Sequence, residues 1–272
     1  MFTQQELEQY QHDGYVIARG LAAPILCAGM KRLAEQQLTA QQPPLEYEAD
    51  LHYPGAPDSR EAPGGHTVRR MLHAYERGAP FRDWAAHPEL LVCLHQLLGP
   101  KLVLSQAHHN SIMTKQPHYS SDTLWHQDIR YWSFERPELV SVWLALGPEI
   151  ESNGCLKLLP GSQCIEFASN RFDAATFFRT DLPDNQSLIA TQRLAELAAG
   201  DVLFFHCRTL HAAGRNRSAD TKFSLVYTYH APDNHPLPGS RSAWRSTQTG
   251  ATSVGTRNAC ARFIMSNASS SR

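Results

Sequence analysis

The sequence predicts a mainly β protein with flanking helices. Three runs rich in β-branched and aromatic residues support the β assignment, at residues 137–146, 202–205 and 222–229. The first hundred residues instead repeat their apolar side chains at helical spacing. A chain of 272 residues, 42% of them hydrophobic, is long enough to bury a sizeable core in one large domain.

The first elements are predicted from local signals. Thr3 followed by Glu6 resembles a capping box, which predicts a helix running to about His12. Asp13-Gly14 ends that helix, and residues 15–18 are typical of a short strand.

Two longer helices follow, separated by a polar segment. Residues 21–41 repeat apolar side chains at helical spacing, and Pro43-Pro44 closes this helix. A second helix is predicted over residues 80–98. Between them, residues 43–65 are rich in Pro, Gly and acids, which indicates a long loop, either a lid over a site or an exposed connection.

The rest of the chain is predicted to form one domain core and a tail. Further expectations are strands at 102–104 and 110–115, a helical insertion at 173–184, and a helical turn at 194–199. The domain is expected to span residues 1–235, with a helical part over about 1–100 and a barrel core over about 101–235. Residues 236–272 are rich in Ser, Thr, Arg, Gly and Asn and are expected to be weakly ordered.

The pattern His126-Gln127-Asp128, answered far downstream by His211, is the most informative motif. Side chains at i and i+2 of a strand point to the same side, so His126 and Asp128 can face one ion. Two imidazoles and one carboxylate on one face of a metal are the ligand set of non-haem iron(II) oxygenases. The other interpretation is a set of hydrogen-bonded polar residues near a sheet edge, and His206 competes with His211 as the distal histidine.

The chain resembles the phytanoyl-CoA dioxygenase family of iron(II)/2-oxoglutarate-dependent dioxygenases from about Glu6 to about His230. Its landmarks stand in the family's order: Asp13-Gly14-Tyr15, His126-x-Asp128, Asn153-Gly154-Cys155-Leu156, Pro160-Gly161-Ser162, Gly200-Asp201 with Phe205, and His211 followed by Gly214-x-Asn216. The resemblance implies a double-stranded β-helix, the jelly-roll barrel also called cupin-like. It also implies Fe(II) and 2-oxoglutarate as cofactors, with His126, Asp128 and His211 as iron ligands and catalytic residues.

The resemblance further implies a cation for the far carboxylate of 2-oxoglutarate. The family usually places an arginine about eleven positions after the distal histidine, where this chain has Lys222. Lysine can pair with a carboxylate, although as a point charge and not as a planar fork. Arg215 and Arg217 are alternatives, although each could equally be a solvated loop charge. Trp143, Lys115 and Asn110 are further candidates for contacts with the co-substrate.

Candidate substrate residues follow the metal motif directly. Arg130, Tyr131 and Trp132 are expected at the barrel mouth, where Arg130 either binds an anionic substrate or pairs with an acid beside the metal. Arg69 adds positive charge beside the predicted loop. The predicted reaction is hydroxylation of a small or conjugated, anionic substrate, coupled to decarboxylation of 2-oxoglutarate to succinate with O2. A lipopolysaccharide sugar acid such as Kdo is one possible substrate.

Three alternatives stay open at this point. Iron halogenases replace the carboxylate ligand with a small residue, so the presence of Asp128 disfavours halogenation. A cupin-like metal-binding protein without oxygenase activity would bind metal and not turn over 2-oxoglutarate. A zinc hydrolase can use the same ligand types, but no general-base motif stands beside them.

Composition narrows the remaining classes of partner and cellular location. The net charge is −1, from 25 basic and 26 acidic residues, and no basic stripe predicts nucleic-acid binding. The six cysteines form no Cys-x-x-Cys pair and are expected to be reduced, which favours a cytoplasmic location. No leader peptide and no membrane span are predicted. The expected partners are a small-molecule or conjugated substrate and O2.

Overall fold

The fold is a two-sheet jelly roll whose N-terminal helices pack on the larger sheet, seen in a computed structural model that describes residues 1–243. The strands are β1 Tyr15–Ala18, β2 Leu45–Tyr47, β3 Val68–Leu72, β4 Val103–Ser105, β5 Ser111–Lys115, β6 Thr123–His126, β7 Leu139–Ala145, β8 Leu156–Leu158, β9 Arg193–Ala195, β10 Val202–His206, β11 His211–Ala213 and β12 Lys222–His230. The helices are α1 Gln4–Asp13, α2 Pro24–Thr39, α3 Ala79–Ala85, α4 Pro88–Leu98 and α5 Pro183–Ile189.

All strand pairs are antiparallel. The larger sheet has the order β1-β10-β7-β12-β5-β3-β2, with β4 also pairing with β12. The smaller sheet has the order β6-β11-β8-β9. This arrangement confirms the predicted double-stranded β-helix, in which the space between the two sheets is available for a site.

Alternating side chains of the larger sheet divide the core into two layers. On β7, Val142 and Leu144 belong to the apolar layer under the helices, whereas Trp143 belongs to the layer between the sheets. Both β7 and β12 are buried along their whole length. On β12 the two faces differ, because Phe223, Leu225, Tyr227 and Tyr229 belong to the layer under the helices, whereas Lys222, Ser224, Thr228 and His230 alternate with them. Two tyrosines of β12 attach α3, since the Tyr227 and Tyr229 hydroxyls donate to the carbonyls of Phe81 and Ala85.

The predicted N-terminal elements are confirmed. The Thr3 hydroxyl accepts from the Glu6 amide, and the Glu6 carboxylate accepts from the Thr3 amide at 2.8 Å. Gly14 ends the helix with φ +80°, and a Cβ at this position would lie 2.4 Å from the Gln163 side chain. Glycine is required there both for its positive φ and for this close approach.

Three helical predictions need correction. The predicted helix over 80–98 is two helices, because Pro88 occupies the first turn of α4 and cannot continue α3. Residues 173–184 are not a helix: Phe172 pairs with Phe178, and α5 begins only at Pro183. The predicted helical turn at 194–199 overlaps β9, which pairs with β8.

Two predicted irregular segments are more structured than expected. The 43–65 loop contains β2, which pairs with β3 at the edge of the larger sheet. Residues 236–243 also make defined contacts, since the Leu237 amide donates to the Ser133 carbonyl at 2.9 Å and Ser242 is buried. The predicted tail beyond residue 243 lies outside the described residues.

Five cysteines fall within residues 1–243, all unpaired, and four of them are buried while Cys164 is exposed. Cys260 lies outside this range. In the same part of the chain, no helix combines the length and apolarity that crossing a membrane requires.

Candidate metal and co-substrate site

The predicted metal ligands converge between the two sheets. His126 ends β6 and His211 begins the neighbouring strand β11, where the two residues are direct cross-strand partners. Asp128 comes from a short 3₁₀ turn after β6 and not from the strand itself. One potential ligand atom from each residue lies within 4.8 Å of the others. His206, the competing histidine, is not part of this cluster, and its Nδ1 accepts from the Arg208 amide.

Hydrogen bonds fix how the two imidazoles point. Nδ1 of His126 donates to the Leu124 carbonyl at 2.8 Å, and Nδ1 of His211 donates to the Thr209 carbonyl at 3.0 Å. Each Nε2 therefore keeps its lone pair and faces Asp128, 3.7 Å from Oδ1 in both cases. A carbonyl that accepts from the far ring nitrogen is the usual way of orienting a metal-ligating histidine.

The protonation states suit a metal. Burial, together with the charge of His211, lowers the pKa of His126 to about 3. Burial also lowers the pKa of His211. For Asp128, burial by itself raises the pKa, but the neighbouring histidines outweigh it, so the pKa of this carboxyl falls well below its ordinary value. Neutral imidazoles and an ionised carboxylate are the forms that bind a metal.

His109 is a neighbour of the cluster that sequence reasoning did not identify. Its Nε2 lies 3.4 Å from Asp128 Oδ1, and its Nδ1 lies 3.1 Å from the Ser141 hydroxyl, which in turn contacts Asp128 Oδ2 at 3.3 Å. His109 has φ +44°, a conformation that non-glycine residues rarely adopt. His109 stands outside any regular element, and no sequence pattern pointed to it.

A cavity of about 670 Å³ opens beside the three ligands. Its lining includes seven of the predicted co-substrate and substrate residues: Lys222, Trp143, Lys115, Asn110, Tyr131, Trp132 and Arg69. Sites for small molecules typically have volumes of roughly 300–1,000 Å³.

Two predicted residues lie elsewhere. The Arg130 guanidinium stacks on Phe172 at 3.4 Å from the ring centre and donates to Gln127, so it is outside the cavity lining. Arg215 pairs with Asp122 at 3.1 Å and is also outside the lining. Both arginines already have partners and neither lines the cavity, and their contacts with substrate or co-substrate stay predictions.

Lys222 lines the cavity but has a carboxylate partner of its own. Its Nζ lies 2.8 Å from Oε2 of Glu149, and both side chains are almost fully buried. Glu149 also accepts from the Trp143 indole at 2.9 Å and from the Ser224 hydroxyl at 2.6 Å. Glu149 was not singled out in the sequence, because nothing local indicates that it reaches Lys222.

The cavity's two neighbouring arginines are paired as well. Arg70 makes a two-pronged contact with Glu46, at 2.6 and 2.5 Å. Arg69 contacts Glu48 at 3.3 Å and donates to the hydroxyls of Ser121 and Thr123.

Lys115 differs from these cations because no ion pair forms with it among residues 1–243. Its buried Nζ donates to the Ser121 carbonyl at 2.8 Å. Burial lowers the pKa of Lys115 to about 7, and the charges of Arg69 and Lys222 act in the same direction. The Asn153-Gly154 turn packs on its stem, since a Cβ on Gly154 would lie 2.9 Å from Lys115 Cδ.

The residues present fit a metal and a polar ligand. Two histidines and one carboxylate with an adjoining cavity match the donor set of a non-haem iron(II) centre. Asn110 adds a buried donor to the cavity wall: its Oδ1 accepts from the Tyr75 amide, whereas its Nδ2 has no hydrogen-bond partner among residues 1–243. An unpaired buried donor is costly unless a ligand or water accepts from it.

Comparisons with known proteins agree with this chemistry. A family described as Phytanoyl-CoA dioxygenase (PhyH) matches residues 10–224. Ectoine dioxygenase of Stutzerimonas stutzeri strain A1501 is 24% identical over 245 residues, covering 84% of this chain and 76% of that protein.

Solved structures share the fold. EctD from S. alaskensis with 2-oxoglutarate and 5-hydroxyectoine superposes with a TM-score of 0.71 at 15% identity, covering 87% of this chain and 78% of that one. The epimerase SnoN in complex with Fe3+, alpha ketoglutarate and nogalamycin RO gives 0.70 at 20% identity, covering 91% and 90%. With a family match over most of its length, this chain belongs to the phytanoyl-CoA dioxygenase family and is an iron(II)- and 2-oxoglutarate-dependent oxygenase.

Proposed function

We propose that the protein hydroxylates a small or conjugated organic substrate carrying an anionic group, while 2-oxoglutarate is decarboxylated to succinate. The observation that carries this proposal is the convergence of His126, Asp128 and His211 beside a cavity of about 670 Å³. This volume exceeds what a co-substrate of ten heavy atoms needs, which leaves room for a second small molecule.

Bound iron(II), with two electrons from the oxidative decarboxylation of 2-oxoglutarate, would activate O2 as the oxidant that cleaves a substrate C–H bond. The chain's own residues hold and shield the reacting centre. His126 and His211 present their Nε2 lone pairs, while Asp128 supplies the negative charge that balances part of the metal's charge. The retained carboxylate of Asp128 favours hydroxylation over halogenation, because a halide needs that position.

The anionic character of the substrate is supported by Arg241. This residue lines the cavity and makes no ion pair within the described residues, unlike Arg69 and Arg70. Its backbone is held in place because the hydroxyl of the next residue, Ser242, lies 2.7 Å from Nε2 of His108 and accepts from the Ser133 amide. The Nδ2 of Asn110, which is unpaired within the described part of the chain, offers a second, neutral contact for a carboxylate or hydroxyl oxygen.

A sugar acid such as Kdo belongs to this substrate class, since it combines one carboxylate with several hydroxyl groups. Relatives named for ectoine and for L-proline, a second small molecule that carries a carboxylate, support a substrate of this size. The proposed substrate anion is not assigned to Arg130, because that residue lies outside the cavity lining.

The proposal is tested by supplying Fe(II), 2-oxoglutarate and O2 and measuring succinate formation with a panel of small carboxylic acids, Kdo among them. A neutral analogue of each acid serves as the matched control. We expect one acid to raise the rate of succinate formation. The same reaction should yield a product 16 mass units heavier than that acid. Succinate formation that no acid accelerates, or stimulation by neutral analogues alone, would contradict the proposed substrate class.

A further inference from the structure

One end of the cavity, where β5 ends and β12 begins, carries a cation without an ion-pair partner among the described residues. Lys115 on β5 and Lys222 on β12 are direct cross-strand partners, and both line the cavity. Like charges directly opposite on neighbouring strands destabilise a sheet. Glu149 neutralises Lys222, and Glu48 pairs with the nearby Arg69. Of the three cations Lys115, Lys222 and Arg69, only Lys115 forms no ion pair within residues 1–243.

We infer that Lys115, and not Lys222, supplies the charge that holds the far carboxylate of 2-oxoglutarate in this protein. This inference rests on the proposed function and deepens it. Lys115 is the cross-strand partner of Lys222, the position where the resemblance to the family places the cation for the far carboxylate. The strand register therefore puts Lys115 at the end of the cavity where that carboxylate is expected. At Lys222 itself, the place of an incoming carboxylate is taken by Glu149, at 2.8 Å.

The surroundings of Glu149 make the Lys222 ion pair a fixed part of the wall. Its Oε1 accepts from both Trp143 and Ser224, and Oε2 accepts from Lys222, so each carboxylate oxygen is satisfied. Freeing Lys222 for a ligand would leave the buried Glu149 charge without its counter-ion, which is strongly unfavourable.

Lys115 is held ready for an anion. The only described hydrogen-bond partner of its Nζ is the Ser121 carbonyl, and a lysine ammonium has three donors. Ser111, Met113 and Lys115 share the cavity face of β5, so the lysine stands at the end of a continuous wall. Burial, reinforced by Arg69 and Lys222, lowers the pKa of Lys115 to about 7, which is the expected consequence of a cation without a counter-ion.

The test compares two variants that each remove charge without shortening the side chains much. Lys115→Met removes the unmatched cation. The double variant Glu149→Gln/Lys222→Met removes the ion pair while leaving the net charge of the wall unchanged. Anaerobic binding of 2-oxoglutarate is measured by calorimetry and by the visible absorption of the Fe(II) complex. 2-Oxopentanoate, which lacks the far carboxylate, serves as the matched ligand.

We expect Lys115→Met to weaken 2-oxoglutarate binding by at least about thirtyfold, as truncating one partner of a buried charge pair does. Binding of 2-oxopentanoate should change less than about threefold, because it makes no contact with the lysine. The double variant should bind 2-oxoglutarate within about threefold of the wild type. Circular dichroism and Fe(II) affinity confirm that each variant is folded.

The opposite pattern overturns the inference: unchanged binding in Lys115→Met, or loss of binding in the double variant with folding intact. Equal weakening of both ligands in Lys115→Met also overturns it, since the lysine would then act through the wall and not through the far carboxylate. If the wild type binds Fe(II) but no 2-oxoglutarate, the proposed function fails together with the inference. If the wild type binds 2-oxoglutarate and Lys115→Met binds it equally well, the inference is refuted while the proposed function stands.

Discussion

Lys115→Met should make the metal-free protein more stable at neutral and mildly acidic pH, although it removes a residue assigned to ligand binding. Burial, with Arg69 and Lys222 adding to it, lowers the pKa of Lys115 from 10.5 to about 7. The difference corresponds to about 5 kcal/mol, at about 1.4 kcal/mol for each tenfold change in the protonation constant. The variant also loses the bond to the Ser121 carbonyl, worth about 1 kcal/mol. A net gain of about 2–4 kcal/mol is expected at pH 6.

The sign of the pH dependence follows from proton binding in the two states. Between about pH 7 and 10.5 the unfolded chain keeps the Lys115 proton, whereas the folded chain has released it. The free energy of unfolding of the wild type therefore rises relative to the variant by about 1.4 kcal/mol per pH unit in this window. Below about pH 7 both states are protonated, and the difference is constant. Glu48 and Asp122 also face Lys115, and their charges favour its protonated form.

Urea unfolding of metal-free wild type and Lys115→Met at pH 6, 7, 8 and 9 measures this difference. Lys101→Met, which changes a lysine at an exposed position, serves as the matched control and should leave stability within about 0.5 kcal/mol. The reasoning is refuted if Lys115→Met is less stable than the wild type at pH 6. It is also refuted if the difference stays the same from pH 6 to pH 9.

Three further predictions concern the metal and the substrate. His211→Ala should abolish stoichiometric Fe(II) binding in equilibrium dialysis, while His206→Ala should retain it, because only His211 belongs to the ligand cluster; equal losses would contradict the assignment. His109→Ala should weaken Fe(II) binding by about 10–100-fold in the same assay, since it removes a contact with Asp128, and an unchanged affinity would exclude that role. Arg241→Ala should raise KM for an anionic substrate at least tenfold with little change in kcat, whereas Arg130→Ala should leave KM unchanged. The reverse result would place the substrate anion on Arg130.

Local signals predicted the parts of the fold that depend on near neighbours. The capping box of Thr3 and Glu6 needs only residues three apart, and it forms as expected. The spacing of His126 and Asp128 likewise predicted that both side chains face one point, although a 3₁₀ turn and not a strand carries the carboxylate. Residues 173–184 and 194–199 failed as helices because their conformation is decided by pairing, as in β9 with β8.

The sequence by itself determined the mainly β class with flanking helices and the His126-x-Asp128 pair, because periodicity, caps and two-residue spacing are short-range properties. The jelly-roll topology and the third ligand, His211, were implied by the order of motifs that the chain shares with the family. Only the tertiary structure decided the charge balance of the cavity. Glu149 neutralises Lys222 from 73 residues away, and His109 reaches Asp128 from a loop with no recognisable pattern. Electrostatic pairing depends on distances between strands that are remote in sequence. A list of charged residues therefore cannot show that Arg130 has another partner, or that Lys115 is left without a counter-ion among the described residues.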